Sequence, residues 1–488
     1  MPTSPSKILM IGLDSPNLGH IRGALHRLPA MRRVFESGAF FDLASSADVL
    51  DASAWPTFYT GTHPGHHGTY HPMQWDAVGM RMRRHSADWI YAEPFWYELA
   101  RQGVGVISAD VPMVLPADMP GGIEVRNWST QENTGPLETS PSGLEREVIQ
   151  RFGSYPIGRD VPIEHSTTQL ESLRRMLVRI VPSRTQLWLW LMHQYDWRFA
   201  ITVYAECHRA GHNLWPDDPA DGAGEPLLEV YEAIDRSIEE VLAATDLRRT
   251  TVVLFSAHGM GPNTSQSHLL QRIVDRVTAT FWQSLGRQAA DRRGSIFRRL
   301  RESIPPAVQL AITKSAPDGV RDWVVDRAQR KGIDWSATPA LALVCGQTGL
   351  IRLNVAGREQ QGSLARDDEL YARYVRWLEE SLLELRATDR DAPIVASVER
   401  VHDHFPGPRS IYLPDIAVRW TDLPPVMEVH SERLGTIRAR FGTGRRGNHA
   451  PAAFAVVMGP EQHAAAFGGL RHTTDLARAV FRSLVGRS

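Results

Sequence analysis

A doubly wound α/β fold with a mostly parallel central sheet is what this sequence predicts. Short uninterrupted apolar runs such as KILMIGL and TVVLFS recur along the chain, and segments of helical spacing alternate with them. Several of the runs end in an acidic residue or a histidine. A run that is apolar at every position has both faces covered, the condition of a strand inside a parallel sheet. The carboxyl ends of such strands are where open α/β sheets hold their ligands.

In chain order, KILMIGLD reads as a buried strand ending at Asp14, and LPAMRRVFESGA as a helix with Gly38 suited to its C-cap. A short strand around Phe41 to Ala44 precedes the polar stretch SSADVLDASAWPTFYTGTHPGHHG. A helix around Pro94 to Gln102 leads to the strand GVGVISADVP. Residues 115–165, rich in Gly, Pro and polar side chains, are expected to run over the site. An aromatic helix then meets the strand WRFAITVYA, followed by AECHRAGH, the amphipathic helix LLEVYEAIDRSIEEVLAAT and the strand TVVLFSAHGM. HLLQRIVDRV, SIFRRLRESI and VRDWVVDRAQR share helical spacing, so 268–335 reads as a helical insertion. Strands resume at ALALVCGQTGLIRLNV and AAFAVVMGP before a last helix, TTDLARAVFRSLV. The expected division is a core of residues 1–267 and 336–488, with 75–165 partly a cap excursion, and the insertion at 268–335.

Composition narrows the function. With 54 Lys+Arg against 55 Asp+Glu the net charge is −1, so no field favours a nucleic-acid polymer or an anionic membrane. Cys207 and Cys345 are too few and too distant for a disulfide framework. The run from Ile8 to Leu13 is too short for a signal-peptide core, and no stretch approaches the ~20 apolar residues of a membrane span. A cytoplasmic location is the expectation.

Metal-ligating side chains stand at Asp14, Asp51, His208, His212, His258 and His449. Each has an ordinary reading alone: Asp14 as a cap for the next helix, a histidine as a satisfied structural residue. On a helix, His208 and His212 at i and i+4 share a face.

The order of these residues resembles the alkaline phosphatase superfamily, and within it the type I phosphodiesterase/nucleotide pyrophosphatase family. The resemblance runs through ILMIGLD, AWPTFYTGTHPGHHG, AECHRAGHNLW, VYEAID, FSAHGM, IRLNVAGRE and GNHAPAAFAVVMGP. Its most specific element, TG-x-x-P-x-x-HG, is formed by Thr60, Gly61, Pro64, His67 and Gly68. The resemblance implies an alkaline-phosphatase-type sheet and two divalent cations, zinc first and manganese or iron next, flanking a Thr or Ser nucleophile. It places Asp14 and His258 at one metal and His212 and His449 at the other, with His67 a structural hydrogen-bonder.

Three positions depart from the family pattern. The nucleophilic Thr falls on Asp51, the Asp before the strand-end His is Ala257, and the Asp four residues before His212 is His208. One account makes the changes compensate: Asp14, Asp51 and His258 hold one metal, His208, His212 and His449 the other, and metal-bound hydroxide attacks. Other accounts make Asp51 a carboxylate nucleophile, or hand that role to Ser53. A catalytically retired binding or regulatory module is the remaining alternative. Arg126, Trp128 and His268 are candidate substrate contacts, although core packing is the stronger reading of Trp128. The expected activity is metal-dependent hydrolysis of a small-molecule phosphodiester or pyrophosphate-like ester. A sulfuryl or phosphonate ester hydrolase or transferase is the rival on the same fold.

Overall fold

The computed structural model describes residues 7–130, 135–157, 165–217, 224–287, 333–440, 442–460 and 465–486. Eight strands build the central sheet: β1 (Lys7–Leu13), β2 (Ala39–Leu43), β3 (Val106–Ala109), β4 (Ile123–Arg126), β5 (Glu138–Ser140), β6 (Phe199–Tyr204), β7 (Thr250–Ser256) and β8 (Ala453–Met458). Their spatial order is β2-β8-β7-β1-β6-β3-β4-β5. β1 pairs in parallel with β6 and β7, while β8 and β5 run against their neighbours. The doubly wound, mostly parallel sheet is therefore present.

The uniform apolar character of β1 has its cause here. Leu9, Ile11 and Leu13 belong to one hydrophobic cluster, with the helices Pro29–Ser37 and Glu225–Ala243. Ile8 and Met10 belong to a second, with the helices Ala54–Thr60 and Asp475–Val485. Burying a Leu or Ile on each face contributes roughly 1.5–3 kcal/mol per side chain. That holds the strand ends in fixed register, and the register aligns the mouths: Leu13 sits opposite Tyr204, and Gly12 opposite Phe255.

Sheet membership groups the chain differently from the expected boundaries. Of residues 336–488, β8 enters the central sheet. Strands Ala340–Ala342, Gly349–Leu353, Val395–Arg400 and Ile416–Trp420 form a separate antiparallel sheet. The helices Ser267–Ser284 and Glu369–Leu383 share its core, where Leu270, Ile273, Ile351, Tyr374 and Val418 cluster. Residues 288–332 of the expected insertion lie outside the described residues. Within residues 115–165, β4 and β5 join the edge of the central sheet. An apolar run of three to five residues looks the same in either kind of sheet, so periodicity does not say which sheet a strand enters. Among the described residues no helix is long and apolar enough to cross a membrane.

Candidate metal centre

Three parallel strand ends and two returning segments bring the site together. Asp14 follows β1, and Ala257 and His258 follow β7. His208 and His212 lie on the helix Glu206–Leu214 that leaves β6, one turn apart on the same face. Gly211 lets this helix pack close, because a Cβ there would stand 2.7 Å from Met260 Cγ. His449 comes from the strand Gly447–Ala450, which pairs antiparallel with Gly259–Pro262 directly after His258. Asp51 opens a short 3₁₀ turn, Asp51–Ser53, that leads into the helix Ala54–Thr60. All six side chains are buried.

The hydrogen bonds assign the ring protons. His208 Nδ1 lies 2.8 Å from Asp14 Oδ2, His212 Nδ1 2.9 Å from the Gly447 carbonyl, and His449 Nδ1 3.0 Å from Asp51 Oδ2. Carboxylate and carbonyl oxygens only accept, so in each ring Nδ1–H donates and Nε2 keeps its lone pair. Those lone pairs converge: His208 Nε2 is 2.9 Å from His212 Nε2 and 3.0 Å from His449 Nε2. His258 joins them, its donor atom lying with those of His208 and His449 within 4.8 Å of one another.

The carboxylates are held in turn. Trp55 Nε1–H donates to Asp14 Oδ1 at 2.7 Å, and the Gln347 amide donates to Asp51 Oδ2 at 2.8 Å. Burial raises the Asp14 pKa, but the facing His208 and the Trp55 bond outweigh it and bring it to about 2. The same contest leaves Asp51 lowered, through His449 and Gln347. Burial depresses His258 to about 3 and holds His212 well below the ordinary imidazole value, with the Arg445 charge adding to the effect on His212. Histidines kept neutral and carboxylates kept charged are the donor set that a divalent cation binds.

Four other candidates do not join this cluster. Ser53 Oγ donates to the Thr69 carbonyl at 2.8 Å and is fully buried, so its hydroxyl braces the turn. Arg126, on the edge strand β4, pairs with Glu124 and donates to the Ala117 carbonyl. Trp128 packs in the core and its indole N–H donates to the Gly153 carbonyl. His268 donates through Nε2 to the Val426 carbonyl in the second sheet's unit. Each has a polar partner within the fold, and Arg126 Nε and His268 Nδ1 remain buried without one.

Residues not singled out from the sequence do reach the site. Gln347 and Gly346 lie in the turn between Ala340–Ala342 and Gly349–Leu353, and Gly346 is pressed so close that a Cβ would stand 2.1 Å from Asp51 Oδ2. Arg445 stands beside the histidines and carries a buried Nε with no partner. The motif GRRGNHAP held the signal for Arg445, but two adjacent arginines gave no means of choosing. His71 sits near Asp51 and is lowered to about 4 by burial.

Comparison with known proteins agrees with this architecture. The family model for type I phosphodiesterase / nucleotide pyrophosphatase matches residues 8–344. No curated protein sequence matches significantly. Among solved structures, phosphonoacetate hydrolase from Sinorhizobium meliloti 1021 is similar at 14% identity, covering 98% of this chain and 96% of that one. Its TM-score is 0.51 in complex with phosphonoformate and 0.52 with phosphonoacetate. An inactive variant of murine ectonucleotide pyrophosphatase / phosphodiesterase 5 in complex with AMP is similar at 11% identity, over 99% of this chain and 96% of that one, with a TM-score of 0.50. At such identities the likeness is one of fold. The family match spans well over half of the sequence, and the chain belongs to the type I phosphodiesterase / nucleotide pyrophosphatase family of the alkaline phosphatase superfamily, whose members are phosphoric-ester hydrolases.

Proposed function

We propose that this chain hydrolyses a small-molecule phosphodiester or pyrophosphate-like ester with a divalent cation, zinc before manganese or iron, held at the imidazole cluster. The observation that carries the reading is the convergence of the His208, His212 and His449 Nε2 atoms while their Nδ1 protons point away. A cation bound there acidifies a coordinated water and offsets charge gathering on phosphoryl oxygens. The chain's own residues supply the rest. Asp14 and Asp51 keep the rings in the tautomer that binds metal, the Gln347 amide fixes Asp51, and Arg445 offers a guanidinium to a substrate oxyanion. Asp51 Oδ2 already accepts from two donors, which supports a holding role over nucleophilic attack. Ala257 cannot ligate, and its carbonyl accepts from Ser45 Oγ.

The test is a panel of bis(p-nitrophenyl) phosphate, p-nitrophenyl phenylphosphonate, p-nitrophenyl phosphate and p-nitrophenyl sulfate. Each is assayed with zinc, manganese and iron(II) after chelator treatment. Metal-dependent turnover led by the diester supports the proposal. Turnover led by the phosphonate or the sulfate moves the assignment to the rival ester class. Protein that holds no metal and turns over nothing makes the chain a binding module.

A further inference from the structure

We infer that the centre holds one divalent cation per chain, coordinated by imidazoles alone, with Asp14 and Asp51 outside its coordination sphere as proton acceptors for the ligand rings. The inference rests on the metal-dependent reading above and departs from the two-cation arrangement that the family resemblance implies.

Three observations carry it. The first is the direction of the ring protons. With Nδ1–H of His208, His212 and His449 given to Asp14, Gly447 and Asp51, the Nε2 atoms face one another as bare lone pairs at 2.9 and 3.0 Å. No hydrogen bond joins two lone pairs, and one added proton at His208 Nε2 serves one of the two contacts, not both. A single cation beside His208 Nε2 serves both contacts. Two ligand nitrogens that are each about 2.0–2.1 Å from one zinc lie at most about 4.2 Å apart, and both contacts fall inside that span.

The second is the occupation of the carboxylates. Asp14 gives Oδ2 to His208 and Oδ1 to Trp55, so both oxygens already accept from ring N–H donors. Asp51 Oδ2 accepts from His449 and from the Gln347 amide, with Gly346 pressed against it. To ligate a second cation beside His258, Asp14 would have to share oxygens already committed to the His208 and Trp55 N–H groups, and Asp51 an Oδ2 that already serves two donors. Carboxylates that orient metal-bound imidazoles through Nδ1 are a recurrent feature of metal sites and make the ring a stronger donor.

The third is a missing carboxylate. Ala257 stands where the family resemblance implies a further acidic ligand, and its methyl group offers a second cation beside His258 no donor.

The experiment uses the full chain stripped with chelator, reloaded with excess zinc, desalted and measured by elemental analysis. Isothermal titration with zinc follows, and visible absorption after cobalt(II) loading reports the ligand field. We expect one zinc per chain and an intense four-coordinate cobalt spectrum. Asp14→Asn and Asp51→Asn are expected to keep one ion with affinity lowered about 10–100-fold, and His208→Ala to lose it. Circular dichroism and thermal melting confirm that each variant is folded. Two ions in wild type, or an ion lost outright in folded Asp51→Asn, overturns the single-cation inference and leaves the metal-dependent reading standing. No ion in wild type overturns both.

Discussion

Asp51 and His449 meet at 3.0 Å, Oδ2 to Nδ1, although 398 residues of chain separate them. The contact joins a 3₁₀ turn near the start of the chain to a strand near its end, and a third segment, the turn at Gly346 and Gln347, closes over it. Both partners are buried, so the bond sets one imidazole's orientation at the point where the rings of His208, His212, His258 and His449 gather.

Gly346→Ala tests that closure. The added Cβ would stand 2.1 Å from Asp51 Oδ2, so the turn must withdraw and take the Gln347 amide with it. Zinc affinity is expected to fall about tenfold or more, with little change in far-UV circular dichroism. Gly23→Ala, where nothing lies within 4 Å, serves as the neutral comparison. Unchanged zinc affinity in Gly346→Ala would show that the turn does not support the centre.

Arg445→Gln removes the guanidinium beside His212 and His449 while keeping a polar side chain. A charge-assisted hydrogen bond contributes about 1.5–3 kcal/mol, so kcat/KM for an anionic diester should drop roughly 10–150-fold. Zinc content should hold. Steady-state kinetics on the diester with zinc in excess decides it, and a drop below twofold rules out substrate contact.

Arg184 is a buried cation paired with the helix that carries His208 and His212. It donates to Glu206 Oε1 at 3.1 Å and to Asp110 Oδ2 at 3.3 Å, and both acids are buried. Arg184→Met leaves two carboxylates without their counter-charge and should cost about 3–5 kcal/mol in urea unfolding. Arg33→Ala, which breaks an exposed pair with Glu239, should cost under about 0.5 kcal/mol. Equal effects in the two variants would refute the difference in burial as the cause.

His67 predicts an acid weakness. The Thr69 amide donates to its Nδ1 at 3.1 Å, so Nε2–H donates to Thr57 Oγ1 at 3.2 Å, and the neutral ring is fully used. Burial first, then the Arg409 charge, lowers its pKa to about 3. Between the unfolded value near about 6.5 and pH 3, the unfolded chain binds a proton that the folded chain refuses. Stability therefore falls as pH drops through that window, by about 1.4 kcal/mol per pH unit for one such group. Urea midpoints at pH 7.5, 6 and 5 should show a shallower fall in His67→Gln than in wild type.

Much of this was legible from local pattern, for reasons the strands make plain. KILMIGL and TVVLFS are apolar throughout because both their faces are covered, and that uniformity marked β1 and β7 together with the candidate ligands at their ends, Asp14 and His258. The i, i+4 pair of His208 and His212 was equally readable, since helix geometry puts both on one face. Pattern failed where a side chain's partner lies far along the chain. Arg126, Trp128 and His268 bond to Glu124, Gly153 and Val426, partners that no local spacing announces. The apolar runs at 340–353 and 416–420 carry no mark of the antiparallel sheet they build.

The sequence by itself determined the sheet, the family and the residue types at the centre, because burial periodicity and motif order are local properties of a chain. Only the tertiary structure decided that Asp14 and Asp51 face imidazole Nδ1 atoms, that Gly346 presses on Asp51, and that Arg445 rather than Arg126 stands by the histidines. Those relations depend on which segments pack against one another, and packing direction is not written into the spacing of residues along one strand or helix.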